Sequence, residues 1–165
     1  MPAPRYLPLL TVLMACTVAA ESATDALRLN RFDDPFVQLT QGLDGCPPAE
    51  GPLLTLKEAN AEAHQRAERG NSCWAAGRCR YSSSFAYDKE IMERVQKAVA
   101  ADGRFGKTTV WALGQRRWIW LKGCVNSEAE AAALVQLIGS IDDVQAVLNQ
   151  LTTDPHASPP YRTAD

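Results

Sequence analysis

Apolar and polar positions fall into a clear period mainly in the second half of this 165-residue chain. Trp118-Ile119-Trp120-Leu121-Lys122-Gly123-Cys124-Val125 alternates as a strand does. Ile119, Leu121 and Val125 share one face, and Trp118, Trp120, Lys122 and Cys124 share the other. Upstream, Asp88 stands where a helix cap belongs, and Ile91, Val95, Ala98 and Val99 make one apolar stripe running to about Ala101. Asp102-Gly103 stops that helix. Thr108 to Leu113 alternates, and Gly114-Gln115-Arg116-Arg117 reads as the turn of a hairpin into the Trp118 strand. Ser127 and Glu130 carry a capping-box signature. Ala131, Leu134, Val135 and Ile138 then face inward before Gly139, and Val144 to Leu151 is a last strand. The order predicts a single α+β unit of αββαβ type over residues 88–152. Two helices on one face of a three-stranded sheet would bury both stripes.

The first half is less regular. Residues 21–54 are dense in Pro and Gly, and only Phe36 to Leu43 suggests structure, as one or two helical turns packed on the domain. Thr55 and Glu58 form a second capping box, opening a helix to about Arg69 that Gly70 can end. Leu56, Ala59, Ala63 and Ala67 give it a thin apolar stripe, and Glu62 is spaced to pair with Arg66. Residues 55–87 therefore read as a helix and a cysteine-bearing loop. Pro155, Pro159 and Pro160 mark residues 153–165 as a disordered tail.

Processing signals change which residues count. Arg5, the apolar run Leu7 to Val18, and Val18-Ala19-Ala20 before Glu21 predict a secretory signal over residues 1–20. The run is shorter than the roughly 20 apolar residues a membrane span needs. Leu13-Met14-Ala15-Cys16 also resembles the lipobox of bacterial lipoproteins, which makes Cys16 a candidate lipidation site. Either route exports the chain to the periplasm, with outer-membrane attachment if Cys16 is acylated. Cys46, Cys73, Cys79 and Cys124 remain, enough for two disulfides with three pairings open. Cys73 and Cys79 either close a small loop on themselves or reach to Cys46 and Cys124. Their spacing is not the tight pair of a zinc site, so no metal or other cofactor is expected.

The segment from Asp88 to Leu151 resembles a BON domain, the module of bacterial osmotic-stress periplasmic proteins and nodulation-associated proteins. The resemblance rests on Asp88, Ile91 and Val95 in the first helix, then Ile119-Trp120-Leu121-Lys122-Gly123 with Val125. Ser127-Glu128 and Val144, Val147, Asn149 and Leu151 complete it. Where the family often has glycine before the valine of the last strand, this chain has Asp143. Aspartate tolerates turn and left-handed geometry better than most residues. The resemblance implies binding to phospholipid or cell-envelope surfaces.

The formal net charge of −2 gives no reason to expect nucleic acid. Between Asp102 and Glu128, however, no acidic residue occurs, while Arg104, Lys107, Arg116, Arg117 and Lys122 are interleaved with Phe105, Trp111, Trp118 and Trp120. Cations attract anionic headgroups, and indole rings favour the boundary between water and lipid tails. Arg104, Lys107, Arg116, Arg117, Lys122, Trp118 and Trp120 are thus the candidate anionic-phospholipid site, although large aromatics are also common core residues. No catalytic residues are expected. His64 and His156 are isolated, no serine sits on a strand-to-helix elbow, and Glu128 and Glu130 are explained by helix capping. The sequence therefore predicts an exported, non-enzymatic binding protein. The competing expectation is a module that docks an envelope protein through a sheet edge or the Cys73–Cys79 loop.

Overall fold

The computed structural model describes residues 26–164, so the expected signal segment and Cys16 lie outside the described residues. The chain forms β1 (Phe36–Gln41), α1 (Leu56–Glu68), the short α2 (Asn71–Ala75), a 3-10 turn (Ser84–Tyr87), and α3 (Asp88–Asp102). β2 (Thr109–Gln115), β3 (Trp118–Cys124), α4 (Glu128–Gly139) and β4 (Ala146–Thr152) complete it.

The sheet has four strands in the order β1-β2-β3-β4, not the expected three. The first two pairings are antiparallel and β3–β4 is parallel. The extra strand is the stretch expected to be helical. Phe36 pairs with Leu113 and Gln41 with Thr109, with an irregularity between Gln38 and Thr40. Val37 and Leu39 pack against the core while Gln38 is exposed, which is a strand period. The piece is short, and what decides its state is the open edge of β2, whose backbone groups need partners.

α3 and α4 cover one face, as the stripes require. Ile91, Val95, Val110, Ile119, Leu121 and Ile138 are fully buried between helices and sheet. Gly123 in β3 has φ +127, and a Cβ there would collide with the Thr109 carbonyl oxygen and the Val110 Cα. Substitution by any L-residue is strained both by the conformation and by the neighbouring strand.

The opposite face is covered by the chain before α3 and by the tail. Cys46 is bonded to Cys124 at the end of β3, and Cys73 to Cys79 in a self-closed loop. Glu50 N–H donates to the Arg162 carbonyl at 2.7 Å, and Ala164 N–H to that of Pro48 at 2.9 Å. The tail expected to be disordered is thus fixed at its far part to residues 48–50, through an isolated antiparallel bridge between Ala49 and Thr163. Both expected capping boxes have their first bond. Glu58 N–H donates to Thr55 Oγ1 at 3.2 Å and Glu130 N–H to Ser127 Oγ at 3.1 Å.

The two disulfides close loops of very different length, with sequence separations of 78 and 6. In the chain-entropy picture the longer one contributes about 4 kcal/mol and the shorter about 2 kcal/mol. Cys46→Ser/Cys124→Ser is therefore expected to lower the urea midpoint about twice as far as Cys73→Ser/Cys79→Ser, as equilibrium denaturation of the oxidised proteins would measure.

Candidate ligand-binding site

The hairpin between β2 and β3 turns on two residues alone, Arg116 at φ 53° and Arg117 at φ 67°. Gly114 and Gln115, expected in the turn, belong to β2. Two-residue hairpins favour this left-handed geometry because its twist matches the strands, and they usually fill it with Asn or Gly. For other L-residues it costs roughly 1–2 kcal/mol each. The offset comes from Asp88. Its carboxylate accepts the Arg116 N–H at 2.7 Å and the Arg117 N–H at 2.6 Å. Asp88 is not the helix cap the sequence suggests. The 3-10 turn runs straight into α3, and the side chain is free to cross to the hairpin. It is only 1% exposed. Burial pushes its carboxyl up to about 6, against the pull of the two N–H donors.

The two turn arginines part company at their side chains. Arg117 lies 4.6 Å from the Tyr87 ring centroid, and its Nε donates to the Asp143 carbonyl at 2.8 Å. Asp143 has φ 72°, so the aspartate does occupy the left-handed position that glycine often fills. Its carboxylate also gathers three guanidinium groups, Arg80 at 2.8 Å, Arg94 at 3.2 Å and Arg117 at 3.3 Å. Arg116 points elsewhere, with its guanidinium carbon 3.8 Å from the Trp118 ring centroid.

A second buried carboxylate seats α1 over the outer face of the sheet. Asp34 accepts Arg66 Nη1 at 2.8 Å and Nη2 at 2.6 Å, and Gln115 Nε2 at 2.5 Å. The Arg66 guanidinium lies 3.9 Å from the Phe32 ring centroid and 4.4 Å from that of Phe85. The expected apolar stripe does not do this: of it only Ala59 is buried, and Leu56 is 46% exposed. A planar, bidentate cation between two rings holds the helix more specifically than three alanines could.

Between α1, residues 50–54, the tail and the sheet lies a groove. Its larger part, about 770 Å³, is lined by Trp120, Lys122, Leu113, Glu50, Glu58, Arg28 and Tyr161 among others. A smaller part, about 210 Å³, is lined by Arg69, Arg116, Phe85, Gln65 and Arg66. Trp120, Gln115 and Glu62 border both.

The expected site residues divide accordingly. Trp118 and Trp120 are half-buried neighbours with ring centroids 6.0 Å apart on the outer face. Arg116 and Trp120 meet at the smaller cavity. Lys122 lies in the groove, but its Nζ donates to the Glu50 carbonyl at 3.0 Å, and burial holds its ammonium below the usual lysine range. Arg117 is committed to Asp143. Arg104 forms a two-point pair with Asp102 at 2.6 and 2.8 Å, and Lys107 is exposed. Both precede β2, whose seven residues put them about 20 Å from the hairpin turn. The five cations do not make one patch. Arg69, Arg66 and Phe85 were missed because they lie in the extension. The Glu62–Arg66 pair forms as its spacing predicts, at 3.1 Å, and nothing local announces that Phe32 and Asp34 complete it. Among the described residues, no group of three or more His, Cys, Asp or Glu is placed to hold a metal ion.

Asp88 supplies a pH-dependent prediction. Its folded pKa is about 6 against an ordinary 3.8, so the folded state binds more protons than the unfolded one between those values. Its contribution is greatest below about pH 4 and is lost as pH rises through 6. Comparing urea stability of the wild type with Asp88→Asn from pH 4 to 7 should show this falling component in the wild type alone. Asp88→Ala, which leaves two half-buried N–H groups without their acceptor, is expected to cost about 2–4 kcal/mol at neutral pH.

No curated protein and no solved structure matches the chain. A family model does match, over residues 87–155, and its description is BON domain. The match begins at the 3-10 turn before Asp88 and ends just after β4. It excludes β1, α1 and the Cys73–Cys79 loop. Residues 87–155 of this chain are thus similar to a BON domain, and an extension outside that match completes the sheet and roofs its outer face.

Proposed function

We propose that this chain is an exported, non-enzymatic binding protein of the bacterial envelope, and that it engages anionic phospholipid through the hairpin end of its sheet. The observation that carries this reading is the pairing of Arg116 with Arg69 beside half-buried Trp118 and Trp120. Neither arginine has an ion pair among the described residues, whereas Arg66, Arg80, Arg94, Arg104 and Arg117 all do. Unpaired cations on one end, with indole rings behind them, suit a headgroup layer. Two disulfides accord with an oxidising compartment.

Co-sedimentation of the oxidised protein with anionic and neutral vesicles, at low and high salt, tests the reading. Anionic-selective, salt-sensitive binding is expected. Arg69→Glu/Arg116→Glu changes the local charge by four units, each worth about 1 kcal/mol near such a surface, so binding should weaken by at least about a hundredfold. Arg104→Glu/Lys107→Glu, at the far end of β2, should leave it nearly unchanged. Equal loss in the two pairs would mean that total charge, rather than the hairpin end, drives association.

Trp74 favours a second reading, in which the protein docks an envelope partner. It is 54% exposed on the loop closed by Cys73–Cys79. Aromatic side chains in rigid loops are common anchors of interfaces. Absence of vesicle binding, together with a stoichiometric cross-linked partner lost on Trp74→Ala, would move the assignment there.

A further inference from the structure

The smaller cavity holds an electrostatic imbalance that the fold itself leaves unresolved. Arg66 and Glu62, which also border it, pair with each other at 3.1 Å, and Arg66 is further bound to Asp34. What remains are the guanidinium groups of Arg69 and Arg116, neither of which has an ion pair among the described residues, while the one carboxylate of the lining, Glu62, is taken by Arg66. Burial and the nearby charge of Arg69 both hold the Arg116 guanidinium below its ordinary value, so the two repel across the void.

Both arginines are held at the backbone. Arg116 is fixed by the Asp88 carboxylate, and its guanidinium lies over Trp118. The Arg69 carbonyl accepts the Ser84 N–H at 2.9 Å, and Gly70, at φ 102°, sits so close to Ser84 that a Cβ would collide with it. The backbones that carry the two guanidinium groups are therefore set before any ligand arrives, which lowers the ordering cost of binding. Trp120 and Phe85 add flat apolar surface to the cavity, which continues past Trp120 into the larger groove.

We propose that the cavity between Arg69 and Arg116 is a discrete site for one phosphate-ester group, whose carrier lays its apolar or planar body against Trp120. Paired guanidinium groups suit a phosphate because their planar forks match its oxygens. A volume of about 210 Å³ admits the phosphate and a few further atoms, and the rest of the ligand occupies the groove. This deepens the membrane reading, and rests on it only for the source of the phosphate. The site exists only because the extension supplies Arg69 and Phe85, which lie outside the family match.

The test is NMR titration of the tryptophan indole N–H groups in the oxidised full-length protein. The probes are inorganic phosphate, phenyl phosphate and a water-soluble short-chain phosphatidylglycerol. Saturable one-to-one shifts of Trp118 and Trp120, without comparable shifts of Trp74 and Trp111, are expected. Phenyl phosphate should bind at least about tenfold more tightly than inorganic phosphate, since it adds a stacking face. Arg69→Gln should weaken it at least about tenfold. So should Arg116→Gly, which removes the cation while relieving the positive φ and so keeps the turn. Linear shifts, shifts of all four indoles alike, or unchanged binding in both variants would overturn the site. Tighter binding of the short-chain lipid than of phenyl phosphate assigns the phosphate to a headgroup, and the reverse order assigns it to a soluble ester. Vesicle binding without saturable shifts would sink the site and leave the membrane reading standing. Saturable shifts without vesicle binding would do the opposite.

Discussion

One buried carboxylate holds the two halves of the αββαβ core in register. Asp88 begins α3 on one layer and accepts both amides of the Arg116-Arg117 turn on the other. A two-residue turn of arginines would be poorly disposed to left-handed geometry by itself. With its amides fixed, β2 and β3 pair without a slip from Thr109–Cys124 to Gln115–Trp118. The side chains of the turn then point in opposite directions, one into a structural cluster and one toward the groove. Asp143 is the counterpart on the structural side. It accepts a positive φ, and in exchange its carboxylate ties the connector before α3, the helix itself and the hairpin into one ion cluster. A glycine there would relieve the backbone but gather none of those arginines.

The extension belongs to the folding unit. β1 covers the edge of β2, a disulfide joins residue 46 to the end of β3, and the tail pairs with residues 48–50. Its deepest attachment is polar. Asp34 and Arg66 are almost fully buried, with side chains 4% and 11% exposed. Such a pair contributes specificity of placement more surely than stability, because desolvating both charges offsets much of their attraction. That placement puts α1 across the outer face at a distance that leaves a groove. Without this roof the sheet would expose Trp120 and Leu113 to water; with it, those side chains become a wall of the groove.

Much of the domain was legible because its signals are local. The stripes Ile91-Val95-Val99 and Ala131-Leu134-Ile138, the alternation around Trp120, and the Thr55 and Ser127 caps each rest on residues within one or two turns of each other. Asp143 was legible as a turn residue for the same reason. β1 was misread because six residues of strand period are ambiguous until the edge they pair with is known. The basic stretch was misread in a different way. Arg104, Lys107, Arg116, Arg117 and Lys122 are neighbours in sequence, yet an extended strand carries the first two about 20 Å from the turn.

By itself the sequence determined the elements of the αββαβ core, its inward faces and the presence of enough cysteine for two bridges. Periodicity and capping depend on short-range geometry, which any reader of the chain can reconstruct. The tertiary structure alone decided the fourth strand, the choice among three disulfide pairings, and which cations are left unpaired. Those outcomes depend on partners 30 to 80 positions away, such as Asp34 for Arg66 and Cys46 for Cys124. A charge that reads as free in sequence is free only if folding brings it no carboxylate, and that is settled in three dimensions.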